Sequence, residues 1–123
     1  MLSHNRTIGI VGEDMAVEYL QKRNFSIVHR NFHSHWAELD IIAMKKNTLH
    51  FIEVKTRVGT LKGKPYESIT PAKLSHLKRS IQYFLLKNDY KRCKLSVDVV
   101  GIVLKADLSI IEIQWYEGIP INF

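Results

Sequence analysis

Asp40, Glu53 and Lys55 sit in two otherwise apolar runs, Leu39-Asp40-Ile41-Ile42-Ala43 and Leu49-His50-Phe51-Ile52-Glu53-Val54-Lys55. In extended chain, alternate residues share a face. Leu49, Phe51, Glu53 and Lys55 therefore point one way, with His50, Ile52 and Val54 opposite. By the same rule Glu38, Asp40 and Ile42 share a face, and Leu39, Ile41 and Ala43 the other. Only a short connection separates the two runs, so antiparallel pairing brings Asp40 close to Glu53. Glu13, near the inward side of a preceding helical segment, can join them. Isolated charges are costly in a core. One remedy is a partly exposed salt bridge from Lys55 to Asp40 or Glu53. The other is a divalent cation, because several carboxylates repel one another and one lysine cannot neutralise them all. Mg²⁺ takes hard oxygen ligands and completes its shell with water and substrate phosphate. It acidifies bound water and stabilises charge on a phosphoryl oxygen, while a nearby lysine binds the scissile phosphate or helps activate the water. These residue types suit phosphodiester hydrolysis.

The charge distribution supplies a partner for that chemistry. The 123-residue chain carries a net charge of +6. Between Lys55 and Lys94 there are eleven basic and two acidic residues, a net +9, whereas the remainder is net −3. Such asymmetry points to a polyanion, nucleic acid before membrane, although a solvated basic helix that aids solubility has the same composition. Arg57, Lys62, Lys64, Lys73, Lys78 and Arg79 are the candidate nucleic-acid contacts, with DNA placed ahead of RNA.

These side chains need a scaffold. The length fits one domain over residues 1–123 with a core of its own. The longest apolar run, Val99 to Leu104, is six residues, against about 20 for a membrane helix, so no membrane partner is expected. No apolar stretch follows the N-terminus, which argues against a secretory signal. Cys93 stands alone, so no internal disulfide or cysteine zinc cluster can form, and a cytoplasmic location is the expectation. Met15, Ala16, Tyr19 and Leu20 recur at helical spacing and predict a helix from about Gly12 to Arg23, with Asn24 as its stop. Strands are predicted over Phe25–Asn31, Leu39–Met44 (extended back through Trp36) and Thr48–Thr56. A long loop from Arg57 to Ile69 follows. Thr70 caps and Pro71 opens a second helix, whose stripe is Leu74, Leu77, Ile81, Phe84 and Leu85 and whose end is Asn88-Asp89. Ser96–Leu104 reads as a central strand covered on both faces, and Ile110–Tyr116 as a fifth. Three sequential strands favour a meander, and the helix before strand four allows a crossover to a parallel neighbour. The expectation is an α/β fold with a mixed sheet covered by helices.

Asp40 followed by Glu53-Val54-Lys55 resembles the PD-(D/E)XK nuclease signature, with Leu39 where its proline would stand. The wider context resembles the bacterial YraN family over essentially the whole chain. Gly9-Ile10-Val11-Gly12-Glu13-Asp14-Met15-Ala16, Tyr19-Leu20 and Arg30-Asn31-Phe32 match its opening. Glu38-Leu39-Asp40-Ile41-Ile42-Ala43 and Phe51-Ile52-Glu53-Val54-Lys55-Thr56-Arg57 match its central blocks. Val97-Asp98-Val99-Val100 and Asn122-Phe123 match its ending. Ala37 stands where the family has glycine, and Val97 where it has an aromatic. The resemblance implies a restriction-endonuclease-like αβββαβ core with a mixed central sheet flanked by helices, similar to archaeal Holliday junction resolvases. It implies Asp40 and Glu53 as ligands of Mg²⁺ or Mn²⁺, Lys55 as the catalytic lysine and Glu13 as an accessory acid.

The expected function is therefore a metal-dependent endonuclease acting on structured or branched DNA, with a non-catalytic nucleic-acid-binding module on the same fold as the alternative and a homodimer as an assembly option. Glu38 reads as a salt-bridge partner or an outer ligand, Asp98 as a buried structural acid or a member of the cluster, and Lys73 as a phosphate contact or a solvated lysine. Gly59-Thr60-Leu61-Lys62-Gly63-Lys64 falls short of a P-loop, with three residues between the glycines and Pro65 in place of Ser/Thr. His33 and His35 read as loop histidines, and Trp36 and Trp115 as packing residues.

Overall fold

Helix α1 (His4–Lys22) begins at His4 rather than at the predicted Gly12. Ser3 caps it by accepting the Arg6 N–H at 3.2 Å, and Ile8 and Val11 extend the buried stripe backward onto the sheet. The glycines at 9 and 12 and the polar first turn hide this extension, because packing rather than intrinsic propensity holds it. Asn24, in the left-handed region at φ 68, ends the helix as expected. The computed structural model describes residues 3–59 and 69–123. Most of the expected 57–69 loop, including Lys62 and Lys64, lies outside the described residues.

Strands β1 (Ser26–His33), β2 (Glu38–Lys45) and β3 (Thr48–Val58) form the predicted meander. Helix α2 (Pro71–Lys87) follows, capped by Thr70, whose side chain accepts the Lys73 N–H, with Pro71 in the first turn. Strands β4 (Lys94–Leu104) and β5 (Ile110–Tyr116) complete a five-stranded sheet in the order β1-β2-β3-β4-β5. β3 and β4 are parallel and the other pairs antiparallel. The result is a mixed α/β sheet between two helices, compatible with a restriction-endonuclease-like core.

Each face of the sheet carries its own core. On the α1 side Ala16, Leu20, Ile41, Ile52, Val100 and Ile102 pack together. On the α2 side Leu39, Ile42, Phe51, Leu77, Ile81 and Phe84 do so. β4 contributes to both, as its near-continuous apolar sequence requires. Among the described residues, no helix is long and apolar enough to cross a membrane.

The pairing of β2 with β3 is short. It runs from Lys45↔Thr48 to Ile41↔Ile52 and stops, although β3 stays paired with β4 as far as Val58↔Leu104. Beyond Ile52, β3 has lost its β2 neighbour, and Asp40, Glu53 and Lys55 line that opening. The divergence also corrects an expectation. Strict alternation puts Leu39 on the face of Ile41 and Ala43, but Leu39 packs with Ile42 on the α2 side, so the alternation breaks where β2 parts from β3 while β2 stays paired with β1 as far as Glu38.

Candidate functional site

Asp40 stands where β2 parts from β3. Its Oδ2 accepts the Val54 N–H at 2.8 Å, taking the place of a strand neighbour. Glu13 reaches the same point from α1. Its helix lies close to β3 because residue 12 is glycine: a Cβ there would fall 1.9 Å from Thr56 Oγ1 and 2.8 Å from Thr56 Cβ. Glu38, at the start of β2, completes a group. One carboxylate oxygen from each of Glu13, Glu38 and Asp40 lies within 4.8 Å of the other two.

The surroundings partly offset the repulsion. With its NH₂ turned toward the acids, the Asn31 amide donates to Glu38 Oε1 at 2.8 Å and Glu13 Oε1 at 3.0 Å. Arg30 Nη2 pairs with Asp14 at 2.8 Å and approaches Glu13 at 4.0 Å. Glu38 also meets His33 Nδ1 at 3.3 Å. Asp40 nevertheless holds its proton up to about 7: burial is the main cause, the Glu53 charge adds to it, and the Val54 N–H opposes it. Burial likewise raises the Glu13 carboxyl, against the pull of Arg30.

Glu53 and Lys55 project from β3 into the same cavity of about 640 Å³, which Glu13, Asp40 and the first turns of α1 from His4 to Gly9 also line. Glu53 is not a member of the 4.8 Å triad. Its Oε1 is instead 2.9 Å from Lys73 Nζ and 3.6 Å from Lys55 Nζ. Burial, aided by Lys73, lowers the Lys55 pKa. Burial also acts against the charged form of Lys73, but its bond to Glu53 prevails and raises its pKa.

The structure thus brings Glu13, Asp40, Glu53 and Lys55 to one opening. The acids nearest one another are Glu13, Glu38 and Asp40 rather than the expected pair of Asp40 and Glu53, and Lys73, read as either a phosphate contact or a solvated lysine, sits on Glu53. The Thr70-Pro71 cap was the signal for Lys73, since it fixes that residue in the first turn of α2. Asn31 and the early turns of α1 were missed. The Ile8–Val11–Met15 spacing and Ser3 could have revealed the helix start, and the Arg30-Asn31-Phe32 block was the signal for Asn31 and Arg30, which meet Glu13. Arg57 continues β3 past Lys55, Lys78 is half-buried and Arg79 is exposed on α2.

Asp98 lies outside the triad. It is fully buried, and it accepts hydrogen bonds from His50 Nδ1 at 2.6 Å, Ser96 Oγ at 2.6 Å, Trp115 Nε1 at 3.0 Å and the Gly118 N–H at 3.0 Å. Burial opposes its charge, but these donors hold its pKa below the usual aspartate value. Of the two readings of Asp98, the buried structural acid is the one that fits.

Comparison with known proteins matches residues 12–102 to the model of uncharacterised protein family UPF0102. A UPF0102 protein from Caldicellulosiruptor saccharolyticus is 41% identical over 111 residues, covering 90% of this chain and 94% of the relative. One from Syntrophomonas wolfei is 39% identical, covering 82% and 88%. One from Persephonella marina is 40% identical, covering 77% and 82%.

Proposed function

The chain belongs to the UPF0102 family, the YraN family its sequence resembles, and on that footing we propose a metal-dependent nuclease that hydrolyses phosphodiester bonds in structured or branched DNA. The observation that carries this reading is the convergence of Glu13, Glu38 and Asp40 within 4.8 Å, two of which, Glu13 and Asp40, line one cavity with Glu53 and Lys55. An all-oxygen donor set that crowded fits Mg²⁺ or Mn²⁺ better than a softer metal. Asp40, Glu13 and Glu38 would hold the ion. Glu53, the ligand implied by the PD-(D/E)XK resemblance, would join them only on loosening its contact with Lys73. The bound ion supplies charge stabilisation at the phosphoryl group and acidifies water.

The remaining steps belong to the chain. Lys55, whose pKa is lowered, donates to a phosphate oxygen when protonated and accepts a proton from the attacking water when neutral. Glu53 orients Lys55 and Lys73 through its carboxylate. Arg57, Lys78 and Arg79, together with Lys62 and Lys64, hold the polyanion, in a cytoplasmic setting and with a homodimer as one assembly.

The test is a cleavage panel of single-stranded, duplex, flapped and four-way DNA and RNA with Mg²⁺ or Mn²⁺, with Asp40→Asn as control. Cutting by the parent and loss in the control supports the enzyme. The pairing of Glu53 with two lysines favours a second reading, since it partly neutralises the cluster without a metal. Binding of the panel without cutting by any form would establish that non-catalytic module.

A further inference from the structure

Trp36, read from sequence as a packing residue, is only half committed to the core. It retains 36% of its surface exposed and meets its aromatic neighbours at the edges. The His35 ring lies 5.9 Å away at 83° and the Tyr83 ring 6.0 Å away at 66°. Trp115, by contrast, is tied into the interior by Asp98 and Phe25. Trp36 and Tyr83 form walls of an open cleft of about 390 Å³, lined also by Arg79, Gln82 and Leu86, within the ordinary size range of ligand clefts. Leu86 is 85% exposed at its rim. Among the described residues, no carboxylate lines this cleft. Lys87 Nζ lies 4.8 Å from the Tyr83 ring centre.

We propose that the exposed surface of Trp36 in this cleft stacks an unpaired base of a single-stranded nucleic-acid segment. Three observations carry this. The cleft combines a π-face with a cation and an amide, the set that recognises bases and their phosphates without needing a sequence. Four of its five lining residues lie in the +9 segment between Lys55 and Lys94, so an anionic strand is drawn there and a neutral apolar or basic partner gains less. Trp36 also precedes Glu38 by two residues, so their Cα atoms are at most about 7 Å apart. A base inside a duplex has both faces covered, so the occupant must be unpaired. The inference rests on the nucleic-acid reading of the site and names its substrate class as one with a single-stranded portion.

The test is binding without metal, in EDTA, so that cleavage plays no part. Tryptophan emission and anisotropy are read for an oligothymidylate and for a blunt duplex of equal length. Parent, Trp36→Phe and Trp36→Leu are compared, the leucine keeping apolar volume without a π-face. The expected result is quenching in the parent that disappears in both variants. Single-strand affinity should fall about tenfold in Trp36→Leu, with much less loss in Trp36→Phe and no change for the duplex. Equal loss on both ligands, no quenching in the parent, or no binding at all would overturn the proposal. So would a change in sedimentation of Trp36→Leu with oligonucleotide affinity intact, which assigns the cleft to a second copy of the chain. Selective stacking in a protein that cuts nothing would sink the nuclease reading and leave the cleft standing; cleavage with no effect of Trp36 would do the reverse.

Discussion

Asp40 performs two tasks that pull against each other. It caps the Val54 N–H, which favours a charged carboxylate, and it lies buried near Glu53, Glu13 and Glu38, which disfavours one. The second influence wins, and its pKa rises from 3.8 to about 7. Asp40 therefore binds its proton more tightly folded than unfolded. Its contribution is intact below the unfolded pKa and becomes a penalty as pH rises toward 7, approaching roughly 4 kcal/mol at pH 8. Asp40→Asn should remove that slope and melt roughly 10–20 °C above the metal-free parent at pH 8, with the two converging near pH 4. Thermal melts across pH, with and without Mn²⁺, check this; added ion should narrow the gap by stabilising the parent. Asp98 has the opposite sign. Its lowered pKa stabilises the fold above the unfolded value and the benefit is lost as pH falls through the folded value. Asp98→Asn should cost ~2–4 kcal/mol at neutral pH, because buried donors lose their acceptor, as denaturant titration would read.

At the scale of elements, the decisive contact is α1 on β3. Gly12→Ala places a methyl carbon 1.9 Å from Thr56 Oγ1 and 2.8 Å from its Cβ, so rotating the threonine cannot clear it and the helix must move. The expected cost is ~1–3 kcal/mol, with weaker Mn²⁺ binding because Glu13 moves with the helix, measurable by denaturation and calorimetry. These elements were legible to different degrees. α2 could be read nearly to the residue because Thr70-Pro71 and the stripe from Leu74 to Phe84 are local signals. The β4 strand announced itself by length and apolar continuity. The first turns of α1 did not, because their stability comes from burial of Ile8 and Val11 against a sheet that the sequence does not yet contain. The acidic cluster was legible in part for the same reason. Alternation brought Asp40 toward Glu53, but the parting of β2 from β3 decides which acids lie nearest, and that parting is a tertiary property.

Across the whole molecule, charge is segregated. Glu13, Glu38 and Asp40 gather beside the opening, while α2 carries Lys73, Lys78, Arg79 and Lys87 and no acid. Nucleic-acid affinity should therefore fall steeply with salt, with a log–log slope of about −0.9 per phosphate neutralised on duplex DNA. Reversing charge at Lys78 and Arg79 should make that slope shallower by about 1–2 while shifting the melting temperature little, since Arg79 is exposed and Lys78 lies off the buried stripe. Fluorescence anisotropy over a salt series tests this, and a parent affinity independent of salt would contradict it.

The Val54 N–H, bound to Asp40 Oδ2 at 2.8 Å rather than to a neighbouring strand, gives this protein an internal reporter. Most sheet amides answer to a carbonyl whose charge never changes. This one answers to a carboxylate that gains a proton near neutrality and that, on the metal-dependent reading, would give it up to a cation. Its ¹⁵N–¹H resonance should move with pH through a midpoint near 7, move again on adding Mg²⁺, and stay nearly still with pH in Asp40→Asn. A single backbone signal would then follow the ionisation and the occupancy of the opening without any substrate present.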